Sequence, residues 1–320
     1  SSALGMFFGF MCSDLRGSAL TDLTLARNIT DPGTNAYQPS HINRSRHMTT
    51  LTVRRLLIDL EQPVARHWCA NDAFLTAWFN ALSMSFPVGE QFFLDSVRHG
   101  AKGLPPEQQG AWQAEVQGFV GQEATHRRIH ALFNAQVEKH GLVNHWGPRI
   151  EKRMKVLDGA DPRHHLAITA ANEHFTALFA EWMLSHTEVF NHTEPRLKNL
   201  WLWHSAEESE HKCTAFDLYQ ALGGSHTWRV KWMRRVTVFF LTDALRQTVH
   251  NLHRDGTLWR WSTWRSAARH LLGRNGLLSS SFKPWRAYFK RDFHPNQQSS
   301  DLSSNWLEHN ADQYTRVGAG

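Results

Sequence analysis

The chain has few cysteines and no long apolar run. Its three cysteines, Cys12, Cys69 and Cys213, are too scattered among 320 residues to predict a disulfide framework or a zinc cluster. No stretch of 18 apolar residues occurs, so no transmembrane helix is predicted. The first 12 residues lack a basic start and a small-residue cleavage site, so they do not resemble a signal peptide. These absences together favour a cytoplasmic protein.

The chain also has few alternating runs of Val, Ile and Thr, which are typical of β-strands, while Leu, Ala, Gln, Arg and His are abundant. This composition predicts an all-α protein. Helical periodicity begins near Thr52, and Met48 is a candidate natural start. We expect a poorly packed N-terminal extension, a di-metal four-helix bundle, a basic Trp-rich helical layer on the same domain and a C-terminal tail, at residues 1–47, 48–225, 226–295 and 296–320 respectively.

Proline and acidic residues mark the starts of the bundle helices. Asn71-Asp72, Pro105-Pro106, Asp161-Pro162 and Glu194-Pro195 suit the first turn of a helix, where a missing N–H costs little and negative charge is favourable. Glycine-containing segments follow each apolar run and suit helix ends. These signals predict helices near residues 72–99, 106–140, 162–189 and 195–222.

The strongest pattern is a set of glutamate and histidine residues that occurs twice in register. A lone Glu precedes a Glu-x-x-His pair in each half, and the corresponding residues of the two halves are 83, 85 and 85 positions apart. Each Glu lies near the middle of its predicted helix, so an antiparallel bundle would bring all four carboxylates to one level. This is the ligand set of a ferritin-like di-metal bundle. The predicted ligands are Glu90, Glu123, His126, Glu173, Glu208 and His211.

Other polar residues near this pattern are assigned from their helical faces. His204 lies four residues before Glu208 on the same face, so we expect it to bind the ion held by Glu208 and His211. His130 is expected to support a ligand rather than to bind an ion. Three further residues fall off the ligand faces and are expected to be solvated or structural: His174, Glu207 and Glu210.

Two resemblances add to this prediction. The pattern His204-x-x-x-Glu208-x-x-His211 resembles the site of the 4-aminobenzoate N-oxygenase family, whose di-iron centre has a third histidine. The segments "SMSFPVGEQF" at 83–92 and "YFKRDFHP" at 288–295 resemble a bacterial family described as predicted metal-dependent hydrolases, over roughly residues 52–295. In the first segment, Pro87 is expected to kink its helix beside the metal level.

The ligand pattern favours a non-haem di-iron oxygenase or oxidase that acts on a small organic molecule. A carboxylate-rich ligand set suits two iron ions, although manganese or zinc could bind the same residues. Two alternatives remain open, namely a two-metal hydrolase and a non-catalytic iron-binding or ferroxidase protein. No glycine-rich nucleotide loop is evident, so a separate electron donor is expected. The oligomeric state is not predicted.

The C-terminal region differs in charge from the bundle. Residues 226–294 contain 14 Lys and Arg against three Asp, together with six of the 14 tryptophans. A packing layer, contact with an anionic membrane surface and nucleic-acid binding all remain open, but no nucleic-acid fold motif occurs and no nucleic acid is expected. We expect most of these tryptophans to be buried beneath an exposed basic face that includes Arg229, Lys231, Arg234 and Arg235.

Overall fold

The protein is described by a computed structural model over residues 51–318, and this part of the chain confirms the predicted all-α fold. Two three-residue strands, β1 (Arg54–Leu56) and β2 (Tyr314–Arg316), pair in antiparallel register. The helices in chain order are α1 (Ala73–Lys102), α2 (Pro106–Glu138), α3 (Trp146–Lys155), α4 (Pro162–Ser185), α5 (Pro195–His211), α6 (Thr214–Ala221), α7 (His226–Asp255), α8 (Trp261–Ala267), α9 (Leu277–Ala287) and α10 (Asp301–His309).

Helices α1, α2, α4 and α5 form the bundle, in which α1 packs along α2 and α4 packs along α5. Two of the predicted helix starts have a capping aspartate in the structure. The Asp72 carboxylate accepts a hydrogen bond from the Leu75 N–H, and the Asp161 carboxylate accepts one from the Arg163 N–H. Large apolar side chains such as Phe119, Trp201 and Trp203 fill the interior of the bundle.

Helix α1 continues through Pro87. A proline has no N–H, so it leaves the carbonyl four residues earlier without its helical partner. That carbonyl belongs to Ser83, and it accepts a hydrogen bond from the Asn134 side chain of α2 at 2.9 Å. The Ser83 carbonyl, which Pro87 leaves without a helical partner, therefore links α1 to α2 shortly before Glu90.

The predicted helix 195–222 is two helices in the structure. Helix α5 ends at His211, and α6 begins at Thr214 after a turn. At this break the Lys212 ammonium donates to the carbonyl of Gln298 and to the hydroxyl of Ser300, both at 2.8 Å. These tertiary contacts, which lie 86 and 88 residues away in the chain, explain why local sequence signals did not reveal the break.

The segment after residue 295 packs more closely than a tail. Ser303 of α10 donates a hydrogen bond to the Ala206 carbonyl of α5, and Leu307 is buried. Strand β2 then holds β1 beside the bundle, which positions Arg54 near the candidate site. The expected N-terminal extension at 1–47 lies outside the described residues.

Two expectations about burial in the C-terminal layer are wrong. Trp228 and Trp232 are buried, but Trp259, Trp261 and Trp264 are 89%, 80% and 40% exposed, so the prediction that most of the six are buried is wrong. Arg229 was expected on an exposed face, yet it is buried.

Aromatic rings explain the burial of Arg229. Its guanidinium lies over the rings of Phe216, Tyr288 and Phe293 and donates to the Lys290 carbonyl. Of the four residues expected on the basic face, Lys231 and Arg234 are exposed, whereas Arg235 is half-buried against Trp232. Within residues 51–318, none of the helices has the length and apolar character needed to cross a bilayer.

Candidate metal centre

The residues predicted as ligands come together in the middle of the bundle. Each is buried: Glu90, Glu123, His126, Glu173, His204, Glu208 and His211. They form two groups that share Glu208. In the first group, ligand atoms of Glu90, His126, His204 and Glu208 lie within 4.8 Å of one another, and in the second the same holds for Glu123, Glu208 and His211. Glu173 adjoins the second group, with its Oε2 atom 3.3 Å from His211 Nε2.

The grouping of His204 differs from the sequence prediction. We expected His204 beside His211, but its Nε2 atom lies 2.9 Å from Glu208 Oε1 and 3.6 Å from Glu90 Oε1. The reason is helical geometry. His204 is one turn before Glu208 and His211 is one turn after it, so the two imidazoles lie on opposite sides of the shared carboxylate.

The carboxylates lack the partners that burial normally requires. Seven of their eight oxygens are buried and accept no hydrogen bond from the described chain: both oxygens of Glu90, Glu123 and Glu173, and Oε2 of Glu208. A buried charge without a partner is costly, and metal coordination is one of the usual remedies. These residues therefore fit a pair of metal ions, because carboxylates and imidazoles in this number match a di-metal bundle site.

Hydrogen bonds outside the cluster orient two of the histidines. His126 Nε2 lies 3.0 Å from the Glu207 carboxylate, which can only accept when ionised, so this nitrogen carries the proton. His211 Nδ1 lies 2.9 Å from the side-chain oxygen of Gln122, whose amide nitrogen is committed to Glu210. In both rings the outer nitrogen donates, and the inner nitrogen faces the carboxylates of the cluster, where it can bind a metal ion once it gives up its proton.

A longer chain of hydrogen bonds orients His204. The Ser83 hydroxyl donates to the Asn134 oxygen at 2.6 Å, so it accepts from His130 Nδ1 at 2.8 Å. Burial lowers the pKa of His130 well below its usual value, so the ring is neutral and its Nε2 accepts from His204 Nδ1 at 2.6 Å. His204 Nε2 thereby faces the Glu208 carboxylate at 2.9 Å, where either a proton on the ring or a metal ion between the two atoms satisfies both groups.

The pKa values of the clustered carboxylates are shifted in opposite directions. Burial and the neighbouring carboxylates raise the pKa of Glu123 well above its usual value. Burial also raises the pKa of Glu208, but His211, His126 and His204 outweigh that effect and lower it well below the usual value. For His126, burial lowers the pKa, but Glu207 and Glu208 outweigh it and raise the pKa to about 9. Glu208 is thus the carboxylate most strongly held in its anionic form.

Sequence reasoning missed the residues that support the histidines. Glu207 was expected to be solvated or structural, yet it is fully buried between His126 and Arg54, whose guanidinium lies 3.1 Å away. Gln122 was not singled out. A usable signal was present, because Gln122 and Glu207 each directly precede the Glu of a Glu-x-x-His pair and both are polar. Arg54 had no such signal, since it is 153 residues from Glu207.

A cavity of about 100 Å³ adjoins the first group at Glu90. Its walls come from α1, α3, α4 and α7 and are mainly aromatic and aliphatic. A second, smaller cavity adjoins His204 and Glu208, and it shares Phe86, Thr176 and Phe240 with the first. The cluster therefore borders apolar space that could hold an organic molecule.

Comparisons with known proteins identify a family but no characterised relative. No curated protein and no solved structure matches the chain. The family described as predicted metal-dependent hydrolase matches residues 52–299, which is more than half of the chain. On that match, and in agreement with the resemblance carried by the segments around Glu90 and His294, the chain belongs to the family of predicted metal-dependent hydrolases.

Proposed function

We propose that the protein is a two-metal enzyme whose ions are held by the two groups that share Glu208. Glu90, His126 and His204 would hold one ion, and Glu123, Glu173 and His211 would hold the other. The observation that carries this proposal is that one nitrogen of each of the three histidines faces the cluster while the other nitrogen is hydrogen-bonded outside it. The unpartnered carboxylate oxygens supply the matching negative charge.

We propose further that the centre is di-iron and that the reaction is oxidation of an apolar organic molecule by dioxygen. Four carboxylates balance the charge of two ferrous ions, which suits a fully buried site. Bound iron would supply the redox chemistry and the open coordination positions that dioxygen activation needs, with electrons from a separate donor. The apolar cavity walls at Glu90, including Phe86 and Phe240, would hold the substrate and exclude water.

Hydrolysis is the second candidate, and the family's description favours it over oxidation. The same residues could hold two zinc or manganese ions, which would activate water for attack on an ester or phosphoester. A hydrolase also needs groups that move protons. Apart from Glu90, the one carboxylate lining the larger cavity is Asp243, and it is engaged by Arg149 and Arg153. Asp243 is thus already committed to two ion pairs, and this is our reason for ranking oxidation first.

Iron storage or ferroxidase activity is the third candidate. It requires the same ligands but no site for an organic molecule, so the cavity at Glu90 argues for an enzyme with an organic substrate.

The deciding experiment combines metal analysis with exposure to dioxygen. Protein purified without added metal is expected to contain iron, and the reduced protein is expected to change its visible absorption when oxygen is admitted. Glu208→Ala should lose both the metal and the optical change, whereas Glu138→Ala, which alters an exposed Glu of α2, should keep both. A protein that contains zinc or manganese, is inert to oxygen and cleaves long-chain esters would establish the hydrolase instead.

A further inference from the structure

The larger cavity is apolar along its length and charged at one side. Besides Glu90, its charged lining residues are Arg153 and Asp243. The remaining wall is dominated by rings and aliphatic chains, among them Phe92, Trp232 and Phe239. A small apolar molecule would pack against such a wall, but it would make no interaction with the charged residues at the other side.

The charged side carries an excess of positive charge. Asp243 is buried, and its carboxylate meets the guanidinium groups of Arg149 at 2.7 Å, of Arg153 and, more distantly, of Arg246 at 3.9 Å. The Arg246 side chain is 66% exposed and solvated, so the charge to be balanced is that of Arg149 and Arg153, which exceeds the charge of Asp243 by one. In addition, Arg149 Nη2 is buried and donates to no residue among 51–318. Arg149 does not line the cavity itself, but it shares Asp243 with Arg153, which does, so an anion at Arg153 would lie near this unused donor and would balance the charge.

A second apolar space lies beyond the metal level. Phe86, Thr176 and Phe240 line both cavities and stand between them, so a shift of these side chains would join the two spaces. The Phe86 ring also packs against His204, with ring centroids 4.8 Å apart. The second cavity extends between Ala180, Met183 and Trp201. A chain that entered beside Arg153 would pass Glu90 and His204 before its end reached this second cavity.

We infer that the substrate is an amphiphile with a long apolar chain and an anionic headgroup, either a carboxylate or a phosphate. The headgroup binds at Arg149 and Arg153, and the chain lies in the two cavities with an internal carbon beside the metal pair. This inference rests on the proposed two-metal function, but it concerns binding and is tested without turnover.

The test measures binding of dodecanoate, dodecyl phosphate, dodecanol and dodecyltrimethylammonium to the metal-containing protein by calorimetry. The two anions are expected to bind at least about 10-fold more tightly than the neutral alcohol, because they gain charge-assisted hydrogen bonds. The double variant R149M/R153M should lose that preference, while Arg128→Met, a matched change at an exposed Arg of α2, should keep it. A preference for one anion over the other identifies the headgroup.

A second variant guards against a folding defect in the first. Ala180→Leu narrows the second cavity and should shift the preferred chain to a shorter length across an eight- to sixteen-carbon series, with the headgroup preference unchanged. Equal binding of the alcohol and the anions, or no binding of any probe, would overturn the inference. Anion binding by a protein that contains no metal would instead refute only the proposed function.

A separate observation concerns the outer surface of the C-terminal layer. Trp259 and Trp261 are almost fully exposed, and Trp264 is partly exposed while its indole N–H donates to the Leu258 carbonyl. Arg254, Arg260, Arg265 and Arg269, near these rings in the chain, are exposed as well. Residues 256–291 contain eight Lys and Arg and no Asp or Glu, so this stretch of the chain contributes only positive formal charge.

We propose that this surface, defined by Trp259, Trp261 and Trp264 with their neighbouring arginines, binds an anionic lipid bilayer. Indole rings suit the boundary between headgroups and acyl chains, and arginines complement anionic headgroups. Exposed tryptophans in a stretch (256–291) without acidic residues fit this occupant better than an acidic protein surface, because the rings need an apolar layer to enter.

Co-sedimentation with phosphatidylglycerol and phosphatidylcholine vesicles tests the proposal. Binding is expected with the anionic vesicles and should weaken at high salt, since salt screens such contacts within about 10 Å. The double variant W259S/W261S should lose most of the binding, while Leu132→Ser, at an exposed apolar residue of α2, should not. No binding at low salt would overturn the proposal, and self-association abolished by the same tryptophan variant would assign the surface to a second copy.

Discussion

The two halves of the bundle carry candidate ligands at matching positions but surround them with different residues. Helices α1 and α2 supply Glu90, Glu123 and His126, and α4 and α5 supply Glu173, Glu208 and His211. The residue before each paired glutamate reaches across to the histidine of the other half, so Gln122 accepts from His211 and Glu207 accepts from His126. One of these acceptors is neutral and the other is a carboxylate. The repeat therefore keeps the positions of the candidate ligands but gives the two proposed ion sites different supporting residues.

A second difference lies one turn before each paired glutamate. In the second half this position is His204, which faces the group that contains His126. In the first half it is Phe119, whose ring packs on His211 with centroids 4.9 Å apart. The first group therefore has two imidazoles and the second has one. Variants at these positions can separate the two ions.

The largest effect is expected from removing the shared carboxylate. Because Glu208 belongs to both groups, Glu208→Ala should reduce the metal content from two ions per chain to nearly none. Glu173 adjoins only His211, so Glu173→Ala should leave about one ion. Elemental analysis of the two variants measures the difference. Equal losses in both variants would mean that the two groups do not hold separate ions.

An intermediate effect on metal affinity is expected from Gln122 and Glu207, each of which accepts a hydrogen bond from the histidine of the other half. Their effects are measured in the Glu173→Ala variant, in which only the first group is expected to hold an ion. There, Glu207→Gln should weaken the remaining ion by about 10- to 100-fold, because it removes the charge that polarises His126. Gln122→Ala should leave that ion unchanged, since its histidine belongs to the empty group. Chelator competition measures both affinities, and the opposite ranking would show that the acceptors act on their own halves.

Helix positions and ligand positions could be predicted from the sequence because both depend on local patterns. Prolines and acids marked the helix starts, and three-residue spacing placed Glu123 with His126 on one face. The opposite placement of His204 and His211 about Glu208 follows from the same local spacing. Which carboxylate meets each histidine, Glu90 for His204 and Glu123 for His211, depends on the helices across the bundle and was not predictable in this way. Exposure of Trp259 and Trp261 was also missed, since a tryptophan in a short helix carries no local signal of what covers it.

The smallest effect on metal content is expected from His204→Phe, which copies Phe119 of the other half. Two ions should remain at saturating metal, because Glu90, His126 and Glu208 still surround the first position. The affinity for that ion should fall, and the optical response to oxygen should be largely lost, because a neutral nitrogen donor has been removed beside the apolar cavity. The change also leaves the buried His130 Nε2 without a hydrogen-bond donor, which should lower the free energy of unfolding by about 1–3 kcal/mol.

His204→Asn separates these two effects. The asparagine amide nitrogen, like the imidazole Nδ1, is bonded to Cγ, so it can still donate to His130 but cannot supply an imidazole to the ion, and it should restore stability without restoring the oxygen response. Thermal unfolding and stopped-flow absorption measure the two quantities on the same samples. If His204→Phe changed stability alone and kept the full response to oxygen, His204 would be a structural residue, and each proposed ion would then have one imidazole ligand.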